Sequence, residues 1–208
     1  TVRDYGQHAV LCTVGVAAPH RNVAWERFTH DGPVALLPLG ERYAVVLTCA
    51  DTTLAGVKAL DDAAFLALLQ QRFGTRHSFT SASPRTAYPL GLRYRRHPVA
   101  ERQIWLGNAA QTLHPIGAQG FNLGLRDALW MAQLLAAQRA GNAEADPGDP
   151  GLLRRYAALR EPDRQRTVDF SDGMARLFVR EAWPVRVLPQ ETPAMRAYSF
   201  TSARERSR

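Results

Sequence analysis

The stretch IWLGNAAQTLHPIGAQGFNLGLRDALWMAQLLA, residues 104 to 136, decides the fold because it joins a short apolar run to a glycine-bearing loop and a long apolar segment. Residues 104 to 106 predict a short strand that is buried on both faces, and Gly107 ends it. The loop contains Pro115, which disfavours helix in the residue before it. From about Asn122 the apolar residues leave almost no polar face, which predicts a buried helix.

The N-terminus of this predicted helix opens into the glycine-bearing loop. The first N–H groups of a helix have no partner within it, and the aligned peptide dipoles give this end a partial positive charge. Gly117 and Gly120 allow a bulky group to approach the backbone closely. The pattern therefore predicts a binding site for an anionic or electron-rich ligand, with a tight turn that binds nothing as the alternative.

Residues 107 to 128 resemble the second flavin-binding motif of the group A FAD-dependent aromatic hydroxylases. That motif reads G-D-A-A-H, then a proline, then a glycine-rich run ending in G-x-N-x-G-x-x-D-A. The T-L-H-P version found here is most similar to the octaprenyl-methoxyphenol hydroxylases of ubiquinone biosynthesis. The sequence departs from the pattern at Asn108, usually Asp, at Gln111, commonly His, and at Ala118, often Gly. The positions in register are Gly107, Ala109, Ala110, Pro115, Gly117, Gly120, Asn122, Gly124, Asp127 and Ala128.

The resemblance implies that this loop forms half of an FAD site. Asn108 would accept a hydrogen bond from a ribitol hydroxyl, and Asn122 would pair with the pyrimidine edge of the flavin ring. The N–H groups around Gly120 would face the negative charge that builds on reduced flavin. Pro115 would turn its carbonyl toward the substrate phenol, and His114 is either a base or a loop-packing residue. The remaining implied cofactor contacts are Gly107, Ala109, Gly117, Ala118, Gln119 and Phe121.

The resemblance also implies a reaction. NAD(P)H reduces FAD, O2 adds at C4a of the flavin, and the hydroperoxide hydroxylates a phenol, here a polyprenylated precursor of ubiquinone. Such a substrate implies peripheral contact of a cytoplasmic chain with the inner membrane or with a ubiquinone-biosynthesis complex. Two alternatives stay open: a related FAD enzyme, such as a halogenase or isoprenoid reductase, and a non-catalytic remnant that acts as a binding scaffold.

The resemblance covers roughly residues 4 to 179 and lacks two family motifs. No G-x-G-x-x-G follows a strand anywhere in the 208 residues, although the family binds the ADP half of FAD with that fingerprint. The family's middle Asp-Gly motif is not identifiable either, because Asp31-Gly32 lies in a predicted hairpin turn. The chain is therefore expected to be a fragment that lacks the N-terminal ADP-binding half.

The rest of the chain predicts an α+β or α/β fold, and the resemblance implies that it is the C-terminal portion of a p-hydroxybenzoate-hydroxylase-like fold. Up to about residue 50, alternating apolar residues between turn signals indicate an antiparallel meander. A helix capped by Asp61 and stopped by Gly74 follows, and then a strand over about 85 to 96. The predicted domains are the substrate-domain sheet with one helix (1–98), the returning strand, loop and helix of the FAD domain (99–140), C-terminal helices (150–180) and a poorly ordered tail (181–208).

Local patterns in the C-terminal part refine this prediction. Tyr156 and Arg160, spaced Y-x-x-x-R and followed by D-R, are typical of the family's C-terminal helices. Pro162 is expected to kink or divide the helix that contains them. Asp127, in the middle of the flavin motif, is expected to bond locally within the first turns of its own helix.

Composition limits the other classes of function. The net charge of +7 makes nucleic acid the obvious alternative partner, but the charges are scattered and no nucleic-acid motif appears. The densest basic patch, residues 93 to 97, predicts either a solvated face or a contact for a cofactor phosphate or a partner. Cys12 and Cys49 lack zinc-type spacing and are expected to be buried thiols. No apolar run approaches the roughly 18–20 residues that span a membrane.

Overall fold

The computed structural model describes residues 1–29 and 31–179, with side chains up to residue 176. The described chain forms two compact units. We call Gly6–Pro89 the sheet unit, and Thr1–Tyr5 with Leu90–Leu177 the loop–helix unit. The tail predicted over 181–208 lies outside the described residues.

The sheet unit contains the antiparallel meander that the sequence predicts. Strand β2 pairs with β3, β3 with β4, and β4 with β1, all antiparallel, and β5 pairs with the end of β1. Strands β1 and β6 have residues in both units. The strands are β1 (Val2–Val16), β2 (Trp25–Thr29), β3 (Gly32–Leu39), β4 (Arg42–Ala50), β5 (Phe79–Ala82) and β6 (Thr86–Tyr94).

One predicted helix and one that the sequence analysis did not predict belong to this unit. Helix α2 (Asp62–Phe73) begins as expected after Asp61, whose carboxylate accepts a hydrogen bond from the Ala64 N–H at 2.7 Å, and Gly74 ends it with φ of 66°. Helix α1 (Asp51–Ala59) has no fully buried residue, and the apolar pair Leu54 and Val57, which packs partly against the core, is too short a pattern to predict a helix.

The core of the sheet unit lies between α2 and the strands. Phe65, Leu69 and Phe73 of α2 pack with apolar side chains of β1, β3 and β4. Cys12 and Cys49 are free and buried in this core, as the sequence predicts. Full burial of each large apolar side chain contributes about 1.5–3 kcal/mol to folding.

The loop–helix unit is built on two long helices. Met131 and Leu134 of α3 pack against Leu152, Leu153 and Tyr156 of α4. None of the helices in residues 1–29 and 31–179 has the length and apolar character that a bilayer crossing requires. The elements are β7 (Val99–Ala100), β8 (Gln103–Ile104), β9 (Gln111–Thr112), α3 (Gln119–Gly141) and α4 (Pro150–Val179).

Two expectations about the opening stretch are wrong. The strand predicted at 104 to 106 is replaced by the two-residue strand β8, which pairs with β7 in a small hairpin and includes only Ile104 of the predicted residues. Residues 104 to 106 are half-buried rather than buried on both faces. Helix α3 begins at Gln119 and is buried on one face only, whereas Phe121, Leu125 and Leu129 are 79%, 58% and 55% exposed. Hydropathy indicates which residues favour burial, but a segment is buried only where other chain covers it.

Pro162 does not divide the C-terminal helix. Helix α4 continues through it from Pro150 to Val179 as one element. The segment 142 to 149, between α3 and α4, is a loop.

Candidate functional site

The loop between β8 and α3 adopts a left-handed backbone at three positions. A 3-10 turn covers Gly107–Ala109 and a second covers Ile116–Ala118, immediately before α3. Gly107 and Gly117 have φ of 54° and 68°, and Ala118 has φ of 52°. Glycine adopts this conformation freely, whereas a residue with a Cβ loses roughly 1–2 kcal/mol. Glycine at positions 107 and 117 therefore lowers the energy of this loop conformation, whereas Ala118 adopts it at a cost.

The N-terminus of α3 borders open space. A Cβ built on Gly107 or on Gly120 would meet no atom within 4 Å. The first turn of this 23-residue helix begins at Gln119, so its outward N–H groups lie beside that space. The Asn108 side chain is exposed beside it. Amide donors, a helix dipole and glycine surfaces fit the electron-rich ring and ribitol of FAD.

The structure brings the two ends of the motif together. The turn at Gly107 packs on α3, where a Cβ added to Gly124 would lie 3.0 Å from the Gly107 Cα. Gly107, Gln119, Gly120 and Asn122 are half-buried. The exposed members of the predicted set are Asn108, Ala109, Gly117, Ala118 and Phe121.

Local hydrogen bonds already use part of the polar capacity of the loop. Asn122 Nδ2 donates to the Ala118 carbonyl at 3.2 Å, and the Ala118 N–H donates to the Pro115 carbonyl at 2.9 Å. Gln119 Nε2 donates to the Gly117 carbonyl at 3.1 Å. The Asn122 bond uses Nδ2, so its Oδ1 can still accept a hydrogen bond from a ligand. A carbonyl oxygen has two lone pairs, so the Pro115 carbonyl can also accept a second hydrogen bond.

His114 is the buried member of the predicted set, with 1% of its surface exposed. Its Nδ1 accepts a hydrogen bond from the Ile116 N–H at 3.2 Å, and its ring meets the Tyr5 ring edge-on with centroids 5.4 Å apart. Burial lowers the pKa of His114 to about 4. Of the two roles kept open for His114, this environment favours loop packing over general-base chemistry.

Asp127 has partners far from its own helical turn, so the expectation of local bonding is wrong. Its carboxylate is fully buried and accepts hydrogen bonds from Gln111 Nε2 at 2.8 Å and from Arg160 Nε at 2.7 Å. Arg164 Nε donates in turn to Gln111 Oε1 at 3.2 Å. We call Gln111, Asp127, Arg160 and Arg164 the Asp127 network. Its two arginines are those of the Y-x-x-x-R and D-R patterns, which were the sequence signal for it.

The outer side of this network reaches partly exposed residues. Arg160 also hydrogen-bonds Asp163, and Arg126 Nε lies 2.9 Å from the same carboxylate. Burial raises the pKa of Asp163, but the hydrogen bonds from Arg126 and Arg160 outweigh it and hold that pKa below its usual value. The network therefore continues to the surface of α4 through charged pairs.

The contact between α3 and the loop predicts a penalty at Gly124. Gly124→Ala is expected to lower the free energy of unfolding by about 1–2 kcal/mol, because the strain of the new methyl group against the Gly107 backbone exceeds the helix-propensity gain of up to about 1 kcal/mol. Gly173→Ala in α4, where a Cβ meets nothing, should raise it by up to about 1 kcal/mol. Urea denaturation of both variants checks this, and equal midpoints would contradict the contact.

Comparison with known proteins supports the flavin assignment. The family described as "FAD binding domain" matches residues 4–171. Ubiquinone hydroxylase UbiL of Rhodospirillum rubrum is 40% identical over 184 residues, which cover 87% of this chain and 42% of that protein. The Escherichia coli 3-demethoxyubiquinol 3-hydroxylase is 30% identical over 77% of this chain and 41% of its own length. The chain thus spans less than half the length of these relatives.

Solved structures show the same fold. PqsL of Pseudomonas aeruginosa, described as a probable FAD-dependent monooxygenase, superposes with a TM-score of 0.67 at 24% identity, over 86% of this chain and 50% of PqsL. Klebsiella pneumoniae HpxO in complex with FAD and uric acid gives a TM-score of 0.61 at 16% identity, over 88% of this chain and 47% of HpxO. The fold is therefore the C-terminal portion of a p-hydroxybenzoate-hydroxylase-like fold, as the sequence analysis predicts.

Because the family match covers most of its length, the chain belongs to the FAD binding domain family, as the motif around the N-terminus of α3 indicates.

Proposed function

We propose that this chain is the flavin-ring and substrate portion of an FAD-dependent monooxygenase that hydroxylates a polyprenylated phenol of ubiquinone biosynthesis. The observation that carries the proposal is the open N-terminus of α3, bordered by Gly107, Asn108 and Gly120. The named functions of the R. rubrum and E. coli relatives give the substrate class. Bound FAD, reduced by NAD(P)H, would supply the oxygen chemistry with O2.

The residues of the loop would place the cofactor and stabilise charge on it. The Asn108 side chain would accept a hydrogen bond from the ribitol, and Asn122 would offer its Oδ1 to the pyrimidine edge. The N–H groups of the first turn of α3, at the positive end of the helix dipole, would stabilise negative charge on the ring. Pro115 would direct its remaining carbonyl lone pair to the phenol hydroxyl and so favour phenolate character in the ring to be hydroxylated.

The exposed apolar face of α3 supports the proposal that this chain is a fragment. Phe121, Leu125 and Leu129 lie one turn apart along that face and are all more than half exposed. Isolated apolar side chains on a surface are common, but a continuous apolar row on one helix marks an interaction site. We infer that the part of the relatives outside the match covers this row.

Asn108 offers a direct test of the flavin contact. In the chain combined with the unmatched part of the R. rubrum relative, Asn108→Ala should weaken FAD binding about three- to tenfold, the effect of one lost hydrogen bond. Asn108→Asp, the residue usual in the family, keeps the acceptor and should bind FAD at least as tightly as the original. Asn142→Ala, at the far end of α3, is the matched control. Equal affinities for the alanine variant, the control and the original chain would count against the contact.

Product analysis separates the classes of enzyme. The reconstituted protein, given NAD(P)H, O2 and a phenol with a short prenyl chain, should yield a product with one added oxygen atom. A chlorinated product, formed with added chloride, would favour a halogenase, and a saturated isoprenoid would favour a reductase. A protein that binds no flavin would favour the binding scaffold.

Peripheral contact with the inner membrane belongs to the same proposal, because a long prenyl tail needs an apolar environment.

A further inference from the structure

The side-chain amide of Gln111 is hydrogen-bonded at both ends in a buried position. Gln111 is 1% exposed, donates through Nε2 to Asp127 and accepts through Oε1 from Arg164. A carboxylate without its proton only accepts hydrogen bonds and a guanidinium only donates them, so only one orientation of the amide satisfies both partners. Asp127 lies on α3 and Arg164 on α4, so the two long helices together fix this side chain.

Gln111 lies in the middle of the loop whose ends would contact the flavin. It follows Asn108 by three residues and precedes Pro115 by four. Its backbone pairs with Tyr94 of β6 in the short strand β9. Because the chain from Asn108 to Pro115 is short, a shift of Gln111 moves both predicted contact residues.

A second attachment holds the other half of the loop. Ser171 Oγ of α4 donates to the His114 carbonyl at 3.2 Å, which fixes the peptide that precedes Pro115. The His114 ring accepts the Ile116 N–H and so closes the turn that follows. Within residues 1–29 and 31–179, hydrogen bonds from Arg164 and Ser171 therefore attach the loop to α4, and of these two attachments the one at Gln111 has charged partners.

We propose that Gln111 is a positioning residue, which the Asp127 network uses to fix the conformation of residues 107–118 for flavin binding. The inference rests on the proposed function and names the residue that prepares its site. Arg160 extends the network by orienting the Asp127 carboxylate through its Nε at 2.7 Å. Gln111 itself touches neither substrate nor reacting atoms in this account; it acts through the backbone of the loop.

The variants that test this proposal are chosen by whether they keep the donor and the acceptor of the Gln111 amide. Methionine has a similar volume but neither a strong donor nor a strong acceptor, so Gln111→Met removes both hydrogen bonds. Neutral histidine has one N–H donor and one ring-nitrogen acceptor, so Gln111→His can keep both partners. Gln133 is an exposed glutamine on α3, and Gln133→Met is the matched control.

Amide hydrogen exchange of the 208-residue chain without flavin measures how firmly the loop is held in its conformation. Gln111→Met should accelerate exchange in residues 107–118 by about tenfold or more, because the lost hydrogen bonds had opposed local opening. Gln111→His should return it to within about twofold of the original, and Gln133→Met should leave it unchanged. Unchanged exchange in Gln111→Met, or an equal rise throughout the loop–helix unit, would overturn the proposal.

Repeating the exchange with FAD and the unmatched part of the R. rubrum relative separates this proposal from the proposed function. The original chain should gain protection in residues 107–118, and Gln111→Met should gain less at the same FAD concentration. An original chain that gains none contradicts the proposed function, whereas the flavin-free result still decides whether Gln111 fixes the loop. Equal protection in both proteins overturns the positioning role.

Discussion

Replacing Asp127 by alanine is expected to lower the free energy of unfolding by about 3–5 kcal/mol, the usual effect of removing one partner of a buried ion pair. Asp127 and Arg160 have side chains that are 0% and 4% exposed, so bulk solvent does not reach the groups that would lose the carboxylate. Arg160 would keep Asp163, but Gln111 Nε2 and Arg160 Nε would be left without their acceptor. Because small domains have stabilities of only about 5–15 kcal/mol, a change of this size is a large fraction of the total.

Two further variants make the result specific. Asp127→Asn keeps the shape of the side chain but leaves only one acceptor oxygen for the two donors, Gln111 Nε2 and Arg160 Nε. Its free energy of unfolding should therefore fall by about 1–3 kcal/mol. Asp146→Ala removes an aspartate from the exposed Arg102 pair in the same unit, together with the acceptor of the Gly148 N–H, and should lower the denaturation midpoint much less than Asp127→Ala does. Guanidinium denaturation followed by circular dichroism measures all three. If Asp127→Ala unfolds at the same midpoint as Asp146→Ala, the buried network contributes nothing to stability.

The second large effect is a loss of stability in acid that arises from His114. Its pKa is about 4 in the folded chain, against an ordinary value of 6.5. Between these values the unfolded chain binds a proton that the folded chain does not, so the free energy of unfolding falls as the pH falls. The contribution is fully present above pH 6.5 and is lost by about pH 4, a change of roughly 3 kcal/mol.

Comparison of variants isolates this contribution from the other groups that titrate in acid. His114→Asn keeps an acceptor for the Ile116 N–H but has no proton to gain, so its stability should fall less steeply between pH 6.5 and 4. His97→Asn, at an exposed position, should follow the original curve. Burial and Arg76 also lower the pKa of His77, which remains in all three proteins and cancels in the difference. Parallel curves for His114→Asn and the original chain would contradict the environment described for His114.

The sequence predicted those helix ends and strand pairings that depend on residues close together in the chain. The Asp61 cap, the Gly74 stop and the antiparallel meander each depend on residues within a few positions or on alternation along a strand. The glycine-bearing loop was predicted because the motif has a fixed spacing, and the structure places Gly117 and Gly120 at the N-terminus of α3.

Features that depend on distant chain could not be predicted in the same way. Asp127 bonds to residues 16 positions before it and 33 positions after it, so its partners follow from the packing of α3 on α4. The exposure of Leu125 and Leu129 likewise follows from what packs on α3, and their hydropathy alone indicates only that they favour burial.

FAD binding by the loop before α3 is tested most directly by combining the two portions and asking whether flavin stays with the protein. The 208-residue chain, the unmatched part of the R. rubrum relative and FAD would be mixed and passed over a gel-filtration column, with each portion alone as a control. Visible flavin absorption should elute with the combined protein and should decrease when Asn108→Ala is used at limiting FAD. A combined protein that forms but elutes without flavin would contradict the central claim that the loop before α3 binds FAD.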